Sequence, residues 1–385
     1  MGRTVMAVKT CHFKVDNGDM TLIEFESGRR LLVDIKIRQT ADDPDDETPD
    51  VAAQLRDRLD VDDEGRLYVD AFLLTHPDAD HCAGLRTHFH LGPPGTWSRE
   101  DNKILIREMW SSPIVFRRAD QDTLCEDAKA WRTEARRRVK LFRAQGYLYD
   151  GDRIKIMGED VEEKTDGLEA ILVPGGSTFS TICGVTDVSF EVLLIAPLLA
   201  DNEAEAEILS KNNSSVVMRL TLAARGKSDA ARYLLGGDAE VAIWERVRDR
   251  YGDDELAYEV LIAPHHCSWH SLSWDSWSEK GEDAKVSPKA RSALGQAAPG
   301  ATILSSSVAI KDDDNDPPCI RARREYKSIL KSGAGVFQCL ADDAGDEPYE
   351  LLINQYGPKP DRKRLAAAGA FGAGTAIGSE ALAHG

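Results

Sequence analysis

The chain has 385 residues, 42% hydrophobic and 30% charged, which is enough for a sizeable core in one large α/β domain or two smaller ones. Its net charge of −18 argues against a general nucleic-acid coat, which needs a basic surface, and no apolar run of about 18 residues predicts a membrane span. Seven scattered cysteines without a CxxC pair, behind an N-terminus lacking a signal peptide's apolar stretch, fit reduced thiols and a cytoplasmic location.

Residues 11–35 read as short strands, Thr21–Glu26 and Leu31–Ile35, with turns at Asn17-Gly18 and Ser27-Gly28. A strongly acidic segment, 42–64, follows and reads as a solvated loop. Leu67–Thr75 is a nearly continuous apolar run, as a buried strand requires, and it ends directly on His76. Ala83–His90 begins a helix. Residues 93–148 open with Pro93, Pro94 and Gly95 and read as an insertion, helical from about Asp120 to Gln145. Within it Arg132, Arg136, Arg137, Arg138, Lys140 and Arg143 form either a solvated helix face or a surface for a polyanionic substrate.

Strands resume at Arg153–Met157, Leu168–Val173, Phe190–Ile195, Ser215–Leu222 and Ala231–Leu235. The last stops at Gly236-Gly237-Asp238, before a helix over Ala239–Arg250. Glu259–Ala263 is another apolar strand, ending at Pro264-His265-His266. Thr302–Ser306 and Val336–Leu340 are late strands, with a basic helix, Arg321–Lys331, between them. The domain is expected to span 1–357, leaving 358–385 as a Gly/Ala-rich tail.

Three of these strands end on groups that bind metals. In His76-Pro77-Asp78-Ala79-Asp80-His81 alternate residues of an extended loop point to one side, so His76 and Asp78 serve one ion and Asp80 and His81 a second. Such a row of imidazoles and carboxylates is costly to bury without a cation. Asp238 follows a Gly-Gly turn that permits close backbone approach, and its two oxygens suit a bridge between ions. His265 and His266 complete three ligand clusters on one sheet edge, the usual place for an α/β site.

The order of these motifs resembles the metallo-β-lactamase superfamily, and within it the hydrolase domain of ComEC-type competence proteins. The opening V-G-Q-G-D pattern appears as Val15-Asp16-Asn17-Gly18-Asp19, and T-H-x-D-x-D-H as Thr75–His81. N-N-x-S-x-V matches Asn212–Val217, L-L-T-G-D-x-E matches Leu234–Glu240, and V-P-H-H-G-S matches Ala263–Ser268. The resemblance implies a four-layer αββα sandwich with two divalent ions, Zn²⁺ or alternatively Mn²⁺. It implies ligand roles for His76, Asp78, Asp80, His81, Asp238 and one of His265 and His266, with His265 assigned here. Asp80 also orients the attacking water, and His266 or His270 protonates the leaving group. Asn213, Ser214, Arg136 and Arg137 are the expected substrate contacts, and Trp269 and Trp274 flank His270 at the expected pocket mouth.

The expected function is metal-assisted cleavage of phosphodiester bonds, nuclease-like, on a nucleic acid or a small phosphodiester. One alternative is hydrolysis of a small ester, lactone, thioester or cyclic nucleotide, which suits the overall acidity. Another is a non-catalytic binding module with a depleted site, because no histidine lies between His90 and His265 to supply a mid-chain ligand.

Overall fold

The computed structural model describes residues 7–40, 48–113, 116, 124–158, 164–198, 214–343 and 345–361. Its apolar runs become two mixed sheets. The first is built from β1 (Val8–His12), β2 (Thr21–Glu24), β3 (Arg30–Val33), β5 (Asp60–Val61), β6 (Leu67–Leu74), β7 (Leu105–Ser111), β8 (Arg153–Met157) and β9 (Leu172–Val173), with β4 (Ile35–Lys36) bridging to Cys82 and Ala83. The second takes β10 (Thr178–Phe179), β13 (Phe190–Ala196), β14 (Val217–Ala224), β15 (Lys227–Leu235), β16 (Tyr258–Ile262), β17 (Ala297–Ser305) and β18 (Val336–Cys339), while β11 (Thr181–Ile182) and β12 (Val185–Thr186) form a separate hairpin. The last two strands, β19 (Tyr349–Asn354) and β20 (Gly357–Pro360), return to the edge of the first sheet beside β1. The fold is therefore mixed α/β.

Both sheets are parallel where the site lies: β3, β6, β7, β8 and β9 in the first, and β15, β16, β17 and β18 in the second. Three apolar clusters hold them. In one, Leu22, Leu32, Phe72 and Met109 pack under α1 (Val51–Arg56) and α4 (Glu126–Gln145) through Leu55, Trp131 and Val139. In another, Leu234, Leu261 and Ile303 pack under Trp244 of α5 (Val241–Arg250), Ala293 of α6 (Pro288–Leu294) and Tyr326 of α7 (Ile320–Lys331). A third mixes residues of both sheets, with Ile23, Leu31 and Leu73 meeting Leu194, Leu220 and Val260. Among the described residues no helix is long and apolar enough to cross a membrane.

Four expectations need correction. Residues 93–148 are not an insertion: β7 lies inside the first sheet between β6 and β8, and α4 covers that sheet. The strand was masked by Arg107 and Glu108, whose charges are met within the sheet by Asp70 and by Lys155. The acidic segment is not all loop, since it holds α1, capped by Asp50 accepting from Ala53 N at 2.8 Å. The domain does not close at 357, because β20 pairs with β19; residues 362–385 of the expected tail lie outside the described residues. Of the helix expected over Ala83–His90 only α3 (Leu85–His88) forms; a separate short helix, α2 (Ala79–Cys82), precedes it, and Gly84 parts the two with φ +92°, where a Cβ would stand 2.7 Å from that of Ile37.

His12 gives this core a pH-dependent element. It is fully buried on β1, with Nε2 3.1 Å from Thr10 Oγ1 and Nδ1 3.1 Å from Thr21 Oγ1. Burial pushes its pKa down to about 3. The folded state therefore keeps it neutral while the unfolded chain protonates near pH 6.5, so its contribution is complete above pH 6.5 and is lost progressively towards pH 3. Urea denaturation at pH 7 and pH 4.5 should show the wild type losing about 3 kcal/mol more than His12→Gln over this interval. Parallel losses in the two proteins would contradict the assignment.

Candidate metal centre

The parallel strands deliver their chemistry from their C-terminal ends. Asp34 follows β3, Thr75 and His76 follow β6, Asp238 follows β15 and His265 follows β16. The edge of an open sheet beyond its carboxyl ends is where α/β folds place ligands. Asp19 joins them from the loop before β2, its amide 3.3 Å from Asp80 O. Gly237 has φ +49°, and a Cβ there would lie 3.0 Å from Ser215 Cβ and 3.3 Å from Thr75 Cβ, so only glycine lets Asp238 enter. His265 and His266 both sit in the left-handed region, at φ 50° and 53°, with His265 N held 3.0 Å from Gly237 O. Adjacent non-glycine residues in this region cost about 1–3 kcal/mol each, a burden typical of functional sites.

Asp238 is the hub. Its Oδ1 lies 3.0 Å from His81 Nε2, and its Oδ2 lies 3.5 Å from His76 Nε2, 3.6 Å from His266 Nε2 and 3.8 Å from His265 Nε2. Asp80 Oδ2 stands 3.2 Å from the same His266 nitrogen. Among the described residues two overlapping groups have ligand atoms mutually within 4.8 Å: buried Asp19, His81, Asp238 and His266, and His76, Asp80 and His81. The buried cluster could bind a metal ion. His76 Nε2, His81 Nε2 and Asp238 Oδ1 are buried without hydrogen-bond partners, although two of them face each other at 3.0 Å. Ligands about 2.0–2.1 Å from a tetrahedral ion stand ~3.3 Å apart, so two donors of one cation fit this spacing closely, as does a charged hydrogen bond between the same atoms.

The same groups shift one another's protonation strongly. Burial alone would raise Asp238, yet His81, His266 and His76 hold its carboxyl well below the usual range. Burial would likewise raise Asp80, but its hydrogen bond to His266 and the nearby His81 hold it down. Asp19 has less compensation, and burial pushes it up to about 6 against the pull of His266 and His81. Burial works against protonation of His81, which Asp238 and Asp34 nevertheless raise well above its ordinary value.

Asp34 supports the site from behind. It accepts from Thr75 N at 2.7 Å and Thr75 Oγ1 at 2.6 Å, and pairs with His81 Nδ1 at 2.8 Å. That contact fixes the His81 ring with Nε2 towards Asp238, as carboxylates behind metal-binding histidines do. Asp34→Asn is expected to weaken Zn²⁺ affinity 10–100-fold, estimated as about the usual loss for such a partner. Competition with a chromogenic zinc chelator measures it, and unchanged affinity would remove Asp34 from the account.

Several sequence expectations are redistributed. His266, expected as the acid, sits in the four-residue buried group, whereas His265, expected as the ligand, lies outside it with Nδ1 3.9 Å from Glu240 Oε1. Asp78 has a half-exposed side chain 3.9 Å from His76 Nε2. His270 is outside both groups, its Nε2 3.9 Å from Asp316 Oδ2. Trp269 does not line a pocket mouth but is fully buried in the core, while Trp274 is exposed. Ser214 is buried beside Ser215, whose Oγ accepts from Asp238 N at 3.2 Å; Asn213 lies outside the described residues.

Arg136 and Arg137 do not reach the cluster. Arg137 donates to Glu134 at 2.7 Å and Asp152 at 2.6 Å, and buried Arg138 donates to Ile106 O and Arg153 O, at the N-terminal ends of β7 and β8. The cluster lies at the opposite strand ends, and Arg136 is exposed on the same helix. Asp34 had no part in the sequence reading, and Asp19 entered it only as the last residue of the opening motif, without a ligand role. The available signal was that Asp34 ends an apolar strand as His76 and Asp238 do. Neither a protein-family model nor a curated protein matches the chain.

Proposed function

We propose that the chain is a metal-dependent hydrolase of the metallo-β-lactamase superfamily, acting on phosphodiester bonds, with its sheets face to face and helices outside as an αββα sandwich. The layering is supported by the three apolar clusters, one with residues of both sheets and two beneath helices. The family reading is supported by five motifs in one order. One observation carries the hydrolytic reading: a single carboxylate, Asp238, faces four histidine Nε2 atoms at 3.0–3.8 Å, with Asp80 beside them.

Asp19, His81, Asp238 and His266 would hold one divalent cation, Zn²⁺ or Mn²⁺. His81 has only Nε2 to give, since Nδ1 is taken by Asp34, so a second ion would draw on His76, Asp80 and Asp78. Such ions, when bound, lower the pKa of water towards neutrality and stabilise charge on the scissile group. Asp80, about one-third exposed and anchored to His266, orients the attacking water. With His266 among the ligands, the proton for the leaving oxygen is assigned to His270, whose side chain is 44% exposed beside Asp316.

A second reading, hydrolysis of a small phosphodiester or ester, is favoured by two observations. Arg137 and Arg138 of α4 are engaged at the far strand ends. A cleft of about 380 Å³ lined by Lys311 and by Asn17 and Pro317, chain neighbours of Asp19 and Asp316, is sized for a small molecule. Labelled single- and double-stranded DNA and RNA, bis(nitrophenyl) phosphate and nitrophenyl esters, each with Zn²⁺ or Mn²⁺, separate the two. Cleavage that disappears in Asp80→Asn and His81→Gln is expected. Turnover of small diesters alone selects the second reading, and no turnover of any substrate sinks both.

A further inference from the structure

Seven free thiols are present, and among the described residues six are buried; only Cys125 is partly exposed. Its sulfur lies 3.5 Å from that of Cys82, 43 positions away in the chain. Cys125 caps the 20-residue helix α4, its Sγ accepting from Ala128 N at 3.4 Å. Cys82 ends α2, directly after His81, and its single thiol proton has two acceptors within reach, Asp78 O at 3.1 Å and the Cys125 sulfur. The pair is held in place by the first turn of α4: Asp127 accepts from Gly84 N at 2.9 Å and from Arg86 N at 3.0 Å, clamping the segment just beyond Cys82. Cys82 therefore faces α4 and not the ligand cluster.

We propose that Cys82 and Cys125 form a redox-active dithiol, oxidised by hydroperoxides to an intramolecular disulfide that fastens the metal loop to α4. The sulfurs need approach only from 3.5 Å to about 2.05 Å. The order of events follows from exposure. Cys125, as thiolate, attacks a peroxide oxygen; an S–O bond forms, the O–O bond breaks, and the departing alkoxide takes up a proton. The Cys82 sulfur then attacks the Cys125 sulfenic acid, the S–S bond forms, the S–O bond breaks, and hydroxide leaves with the Cys82 proton as water. Two electrons pass from the dithiol to the hydroperoxide. The thiolate is favoured at Cys125, which its hydrogen bond with Cys82 and the amides at the helix start bring down to about 6 against the effect of burial. This assignment stands independently of the hydrolase reading.

The full chain, reduced and then treated with hydrogen peroxide beside glutathione as an internal control, tests it by mass spectrometry after blocking of free thiols. The expected major product is lighter by two hydrogens, yields a Cys82–Cys125 linked peptide, and returns to the free dithiol with dithiothreitol. Cys125→Ser, which keeps a good helix cap, should abolish that product and leave Cys82 reduced. Three results would overturn the proposal: Cys125 advancing to sulfinic or sulfonic acid beside a free Cys82, Cys125 surviving doses that oxidise glutathione, or a disulfide between other cysteines.

Discussion

Under the proposed function, Asp238→Asn is expected to lower kcat/KM for phosphodiester hydrolysis by about 10³-fold, ~4 kcal/mol of transition-state stabilisation, and to abolish cation binding. The substitution barely changes volume, so its effect isolates charge and ligation. In the native chain one carboxylate faces His76, His81, His265 and His266. An amide offers one weakly basic oxygen where two charged ones stood, and leaves the imidazoles without their counter-charge. Steady-state kinetics with metal analysis of the same sample measures both consequences, and circular dichroism confirms that the fold persists. Full activity in the variant would show that Asp238 is a structural anchor and no more.

Trp131→Ala should destabilise the chain by about 3–5 kcal/mol, the range for emptying a large aromatic site in a core. Trp131 is 1% exposed, meets Phe72 edge-on at 5.0 Å and donates from Nε1 to Ser111 Oγ at 3.1 Å. Those partners belong to β6 and β7, so the helix carrying Trp131 is a covering layer of the first sheet. Were residues 93–148 a lid inserted into a finished domain, the same truncation would cost less than about 1 kcal/mol, as surface changes do. Chemical denaturation of the variant distinguishes the two.

Much of the frame was legible because apolar runs of strand length are hard to hide. Leu67–Thr75, Glu259–Ala263 and Thr302–Ser306 were read within a few residues of β6, β16 and β17. β7 was not, because Arg107 and Glu108 break its apolar pattern. Only the fold shows that Arg107 lies 3.2 Å over the Tyr68 ring and that Glu108 meets Lys155. A similar limit applies to α4, whose arginines read as either a solvated face or a surface for a polyanion. Glu134 lies on the same helix, but the carbonyls and Asp152 that complete their partners come from elsewhere in the chain.

The site was legible in kind but not in membership. His76, Asp80, His81, Asp238 and His266 converge as strand-end motifs suggested. Choosing between His265 and His266 required the left-handed turn at both residues, which points one ring into the buried group and sets the other beside Glu240. Asp19 precedes a strand and Asp34 follows one, and a lone carboxylate at such a place is common without any ligand. What singles them out is the 2.8 Å contact of Asp34 with His81 and the inclusion of Asp19 with three buried partners.

Zinc K-edge absorption spectroscopy on the zinc-loaded chain, with stoichiometry from the same sample, tests the metal centre most directly. At least one ion per chain is expected, with imidazole nitrogens and carboxylate oxygens at about 2.0–2.2 Å, no sulfur in the shell, and loss of the ion in Asp238→Asn. Less than one ion per chain, or a shell containing thiolate sulfur, would contradict the assignment of Asp19, His81, Asp238 and His266.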